Sequence, residues 1–175
     1  LPFQKGKEMK DTVMTVECER RFLVSLAAYP SEISNLPSRQ IEQCYLPETG
    51  KWQVRARKIV AGDIVRHYLT MKQDLSLGTV HEIEQEATAE TWEQIKFAAG
   101  AVLAKTRSEM PLSCGHVLEI DRYQDVTLLP GFAVAEVEMA NLDSRVELPH
   151  WLGEEITGNK AFSNRTLFNR IREAA

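Results

Sequence analysis

Apolar and polar positions alternate every second residue through most of the first half of this chain. Between Thr15 and Val24, the residues Val16, Cys18, Arg20, Phe22 and Val24 share one side, and Glu17, Glu19, Arg21 and Leu23 share the other. A period of two is that of a β-strand. Tyr29-Pro30-Ser31-Glu32 reads as a turn in which Ser31 caps a short helix that Pro37 stops. The alternation returns over residues 39–46, 52–59, 64–72 and 79–88, broken by Pro47–Gly50, by Ala61-Gly62-Asp63 and by the loop around Gly78. Connections this short exclude parallel crossovers and predict a meander of hairpins.

The period then changes. From Ala89 to Ala99, Trp92, Ile95, Lys96 and Ala99 form one stripe of a helix, with Gly100 as its C-cap. Strands resume over residues 102–107, 116–123 and 132–140, and the tail passes through a Gly- and Asn-rich turn into a terminal amphipathic helix carrying Leu167, Phe168 and Ile171. No internal repeat or low-complexity segment is present.

The polar faces of these strands are sorted by sign. Acids cluster as Glu17/Glu19, Glu82/Glu84/Glu86, Glu119/Asp121 and Glu136/Glu138, and bases as Arg55/Arg57, Lys105/Arg107 and, singly, Arg21, Arg66 and Lys72. A sheet with one wet side would mix signs and include more Ser and Thr. About eight strands are enough to close a barrel, which removes sheet edges and encloses a cavity. A charged interior must hold water and ions, because unpaired buried charge costs several kcal/mol per ion. The apolar faces then point outward, and the helices cover them. The expected fold is α+β, an antiparallel eight-stranded closed barrel with a charged interior and helices packed on the outside.

Length and composition narrow the setting. At 175 residues, 43% apolar and 26% charged, the chain fits one globular domain over residues 13–175. Residues 1–12 lack the apolar core of a signal peptide and read as a disordered lead-in or an expression remnant. No run approaches the roughly 18 apolar residues of a membrane span. A net charge of −4 gives no broad attraction to nucleic acid or anionic lipid, so an anionic ligand has to be held locally. Cys18, Cys44 and Cys114 are odd in number and lack a C-x-x-C spacing, which argues against a disulfide framework and for a reducing, cytoplasmic setting. The four histidines show no metal-ligand spacing, and no Gly-rich phosphate loop is present.

In order and spacing the charged motifs resemble the CYTH superfamily, the triphosphate tunnel metalloenzymes. The likeness rests on Glu17-Cys18-Glu19-Arg20-Arg21 as an E-x-E-x-K-like signature, then Arg55-x-Arg57, Lys72, Glu82-x-Glu84, Lys105-Thr106-Arg107, Asp121 and Glu136-x-Glu138. The closing WLGEEITGNKAFSN, with Lys160 and Asn164, also fits, and the span runs from about Val16 to Leu167. The resemblance implies a triphosphate-bearing small-molecule substrate and divalent-metal dependence, Mg²⁺ or Mn²⁺. It assigns phosphate binding to Arg55, Arg57, Lys72, Lys105, Arg107 and Lys160, since guanidinium forks and ammonium groups suit phosphate oxygens. It assigns metal binding to Glu17, Glu19, Glu84, Asp121, Glu136 and Glu138, since these cations prefer carboxylate oxygens. It implies a catalytic set of Arg21, Tyr45 and Glu138. By analogy with two-metal phosphoryl transfer, one ion would orient the triphosphate and a second would activate water for attack on the terminal phosphorus.

One position departs from the signature: Arg21 stands where many members have Lys. Arginine is a poor general base, so Arg21 is expected to bind charge rather than move a proton. Tyr45, in Gln43-Cys44-Tyr45-Leu46, resembles the tyrosine of the family's Q-G-Y-L. The leading expectation is hydrolysis of inorganic triphosphate or a related organic triphosphate. A class IV-type adenylate cyclase and a non-catalytic polyphosphate or nucleotide binder are the alternatives. A homodimer is the one assembly left open, and neither nucleic acid nor membrane is an expected partner.

Overall fold

The computed structural model describes residues 14–175 apart from Thr49 and Leu142, and leaves the side chains of Met14 and Glu32 undescribed. The expected lead-in therefore lies outside the described residues. Eight strands form one sheet: β1 (Met14–Ser25), β2 (Ser38–Tyr45), β3 (Gln53–Ala61), β4 (Ile64–Ser76), β5 (Thr79–Glu86), β6 (Leu103–Pro111), β7 (Val117–Tyr123) and β8 (Phe132–Met139). Every pairing is antiparallel, and the sheet closes in the order β1-β5-β4-β3-β2-β6-β7-β8. The hairpins run as the short turns require, with Gly62 and Gly78 at positive φ. Two strands outrun the sequence pattern: β4 continues four residues past Lys72 to Ser76 because its ladder with β5 extends that far, and β6 runs on to Pro111 because its ladder with β7 does.

Closure turns the alternation inside out. Glu17, Glu19 and Arg21, Arg55 and Arg57, Lys72, Glu82 and Glu84, Arg107, Glu136 and Glu138 all line the interior. Outward residues of β1, β7 and β8, including Phe22, Val24, Leu118, Ile120, Ala135 and Val137, form an external core. It is covered by Ile33 of the one-turn helix α1 (Ser31–Ser34), by Leu36, and by Leu148, Trp151 and Leu152 of the loop after β8.

Helix α2 (Ala89–Ala99) begins where the sequence predicts, its first turn capped by the Thr88 hydroxyl accepting from the Thr91 amide. It ends on Gly100, whose left-handed φ of 72° lets its N–H reach the Lys96 carbonyl. Trp92 and Ala99 are its buried face, set over the barrel wall. Helix α3 (Asn164–Ala174) packs Leu167 and Phe168 with the inward-facing Tyr45, Leu103, Tyr123 and Val134, so it stoppers one end of the barrel. Tyr45 and Phe168 meet ring to ring at 5.3 Å, tilted by 55°.

One stretch of barrel wall is not a strand pair. β5 pairs with β1 only through Cys18, whereas β1 runs on to Ser25. The free edge of β1 is taken up by the closing segment: Gly153 N donates to Leu23 O at 2.8 Å, Leu23 N to Glu154 O at 2.9 Å, and Ile156 N to Arg21 O at 2.8 Å. An edge left open would have exposed these backbone groups.

Candidate active site

The barrel encloses a cavity of about 940 Å³. Its charges reach it because inward positions on neighbouring strands fall in register: Arg55 opposite Thr70 and Thr70 opposite Glu84, then Lys72 opposite Glu82. Across β1 and β8, Arg21 faces Glu136 and Glu19 faces Glu138.

Basic groups dominate the β3, β4 and β6 side. Arg57 Nη2 donates to Glu84 Oε2 at 2.8 Å, and the Thr70 hydroxyl donates to the same oxygen at 2.7 Å while accepting from Arg55 at 3.2 Å. Burial, and then the like charge of Arg55, pushes the Arg57 guanidinium down to about 10. Two neighbouring cations that destabilise each other make a place for an anion. Lys72 ion-pairs with Glu82 and reaches Glu17 Oε2 at 3.2 Å. Arg57 also lies over the Tyr68 ring, 5.7 Å from its centroid.

At the base of the cavity the acids are already taken. Arg107 donates to both Asp121 oxygens, each at 2.6 Å, reaches Glu136 Oε2 at 3.0 Å, and also pairs with Glu119. Arg21 Nε holds the other Glu136 oxygen at 2.9 Å. Burial opposes ionisation of Glu136, yet Arg21 and Arg107 hold its carboxyl far below the usual carboxylate range.

Behind this layer Lys105, 2% exposed, donates to Asp121 Oδ2 at 2.5 Å, and Asp121 is 0% exposed. Neither lines the cavity. Burial and the nearby Arg107 push the Lys105 ammonium down to about 8. Lys105 as a phosphate contact and Asp121 as a metal contact are therefore not brought to the cavity surface: each satisfies the other beneath it.

The acids of β1 and β8 differ. Desolvation raises the Glu17, Glu19 and Glu138 carboxyls, and neighbouring carboxylates add to the rise: Glu82 and Glu138 for Glu17, Glu136 for Glu19, Glu119 and Glu19 for Glu138. Glu19 has one distant ion pair, with Arg21 at 3.9 Å. Half-desolvated carboxylates that repel one another fit a cation. Among the described residues no group of three or more His, Cys, Asp or Glu stands together as a site that could hold a metal ion by itself. Mg²⁺ commonly takes one or two carboxylates together with substrate phosphates, and Glu19 and Glu138 are the two carboxylates that the β1–β8 register sets opposite each other. Glu84 and Glu136, by contrast, are committed to arginines.

Two groups stand at the mouth. Lys160, in the 3-10 turn Lys160–Phe162, lines the cavity but is exposed and ion-paired to Asp74 of β4 at 2.5 Å. Arg165 on α3 lines it too, over the Tyr45 ring at 5.3 Å and donating to Leu46 O at 2.7 Å. Sequence reasoning missed Arg165, Thr70 and Asp74. A helical arginine, a lone strand threonine and an acid at a hairpin end carry no local signal. Tyr45 is buried and accepts from Gln43 Nε2 at 3.1 Å, and burial raises its hydroxyl. The side-chain hydrogen bonds of Arg21 go to Glu136 and to the Phe162 carbonyl, so Arg21 and Tyr45 are not joined as a pair.

These features define an eight-stranded antiparallel tunnel whose inner wall carries both acidic and basic side chains. No protein-family model matches the sequence, and no curated protein matches it significantly. Solved structures do match. The inorganic triphosphatase NE1496 is 27% identical over 87% of this chain and 93% of its own, with a TM-score of 0.59, and a second crystal structure of NE1496 agrees at 28%, covering 87% and 97%. The PH1012 protein from Pyrococcus horikoshii OT3 shares the fold at 21% identity, a TM-score of 0.55, and 70% and 77% coverage. Fold and charged motifs together are consistent with the CYTH superfamily, which the chain resembles.

Proposed function

We propose that this protein is a divalent-metal-dependent hydrolase of inorganic triphosphate or a related organic triphosphate. The observation that carries the reading is the division of the cavity wall: Arg55, Arg57, Lys72 and Arg107 on one side, and the under-compensated carboxylates Glu17, Glu19 and Glu138 on the other. Its structural likeness to an inorganic triphosphatase supports the same reaction class.

A triphosphate carries about four to five negative charges near neutral pH, which guanidinium forks match with paired hydrogen bonds. Arg55 and Arg57 bind phosphate oxygens while Glu84 and Thr70 hold their side chains in place. Lys72 adds a point charge between the basic and acidic sides. Arg107, locked by Asp121, presents a fixed positive field at the base and needs no reorganisation during reaction. Glu17, Glu19 and Glu138 would hold Mg²⁺ or Mn²⁺, which when bound supplies charge neutralisation on the phosphates and a water of lowered pKa. Glu138, whose carboxyl burial and neighbouring acids raise, would accept a proton from attacking water. The products are phosphate and pyrophosphate.

Binding without turnover is the second reading, favoured by the separation of Arg21 from Tyr45. Phosphate release from triphosphate, long polyphosphate, ATP and thiamine triphosphate, measured with each metal and with chelator, separates the two. Release that stops with chelator and in Glu138→Gln supports hydrolysis. A thermal shift with triphosphate and no release from any substrate leaves only binding.

A further inference from the structure

Arg21 makes contacts that a proton carrier would not need. Its backbone N donates to the Thr157 hydroxyl at 3.1 Å, its carbonyl accepts from Ile156 N at 2.8 Å, and its Nη2 donates to the Phe162 carbonyl at 3.2 Å. Its Nε meanwhile holds Glu136 Oε1 at 2.9 Å. The backbone at position 21 thus holds residues 156 and 157, and the arginine side chain alone adds the tie between Phe162 and an acid in the cavity base. The residue is 6% exposed, so its two charge-assisted side-chain bonds form where water competes little.

The fastened segment carries what completes the mouth. Lys160 lies two residues before the Phe162 carbonyl that Arg21 holds, within one 3-10 turn. Ser163 follows and caps α3 through the Thr166 amide, and Asn164 accepts from the Tyr123 hydroxyl at 2.8 Å and from Lys105 at 3.5 Å. A fork that donates through Nε in one direction and Nη2 in another sets two acceptors at a fixed separation, which a single ammonium point charge does less well.

We propose that Arg21 is a positioning residue: it fixes the 156–162 segment, and so Lys160, relative to Glu136 in the cavity base. It acts on the reaction through where those groups stand and moves no proton. The functional half of this inference rests on the triphosphate reading of the site, and the structural half does not.

The test uses the full chain with Arg21→Lys and Arg21→Met. Hydrogen exchange without substrate is expected to quicken at residues 156–163 in Arg21→Met and less in Arg21→Lys, while the β3–β4 hairpin stays protected in both. In phosphate release, KM for triphosphate is expected to rise about tenfold in Arg21→Met with a smaller change in kcat, Arg21→Lys recovering most of it, and the limbs of the pH–rate profile staying in place. Unchanged exchange at 156–163 would overturn the proposal. So would a pH limb that moves in Arg21→Lys, or a collapse in kcat at constant KM. If the wild type releases no phosphate, the triphosphatase reading fails and exchange alone decides the anchoring role.

Discussion

Glu19 and Glu138 stand directly opposite each other across the β1–β8 ladder, two carboxylates at one rung of the barrel wall. Like charges facing across a strand pair destabilise it by roughly 0.2–1 kcal/mol. Glu138→Gln is therefore expected to stabilise the metal-free protein by about that amount, read as a higher denaturation midpoint. The same change should lower phosphate release on the order of 100-fold, as removal of a fixed charge-handling group does. A variant that loses stability and keeps activity contradicts the assignment.

The pH dependence follows from the same groups. Glu17, Glu19 and Glu138 have native values raised above the ordinary 4.5, so the native state binds more protons than the unfolded chain just above that pH. Their contribution to stability is complete below 4.5 and is lost as pH rises through the raised native values. A bound cation reverses this by favouring the ionised forms. The thermal shift produced by Mg²⁺ or Mn²⁺ should therefore be small in acid and grow as pH rises through that window, and a shift that does not vary with pH places the cation elsewhere.

Glu136 and Asp121 behave in the opposite sense. Burial acts against their ionised forms, yet their arginine and lysine neighbours hold both below ordinary carboxylate values, so their stabilisation is present above the unfolded values and fades as pH falls through the native ones. Removing the shared cation leaves both charges buried. Arg107→Met is expected to destabilise by about 3–5 kcal/mol, the cost of breaking a buried pair from one side, in denaturant unfolding at neutral pH. A loss under about 1 kcal/mol would mean that Lys105 and Arg21 compensate these acids without Arg107.

Gly153 marks the seam where the closing segment joins β1. A Cβ there would stand 2.9 Å from the Leu23 carbonyl oxygen, a backbone atom that cannot swing away. Gly153→Ala should destabilise by about 1–3 kcal/mol, as overpacking does, with the extra hydrogen exchange concentrated at residues 21–25 and 153–157. Uniform exchange across the barrel would argue against a local seam.

Strand identity was legible because a period of two is written locally, and the sorting of Glu-x-Glu from Arg-x-Arg was enough to turn the faces inward. The α2 boundaries were equally open to reading, since Thr88 and Gly100 act on adjacent backbone. The use of each charge was not legible. Lys105, Arg107 and Asp121 share the inward parity of the cavity residues, yet Lys105 and Asp121 end beneath its surface, because β6–β7 register sets Arg107 opposite Asp121 and α3 closes over Lys105.

By itself the sequence determined a barrel with charge inside, since closing eight such strands leaves the ionised faces only the interior. Tertiary structure decided which carboxylates stay short of partners. That depends on cross-strand neighbours far apart in the chain: Arg21 and Arg107 meet at Glu136, while Glu19 meets another acid. It also decided that a segment with no strand pattern, residues 153–157, completes the wall, because the edge it covers exists only where β5 ends before β1 does.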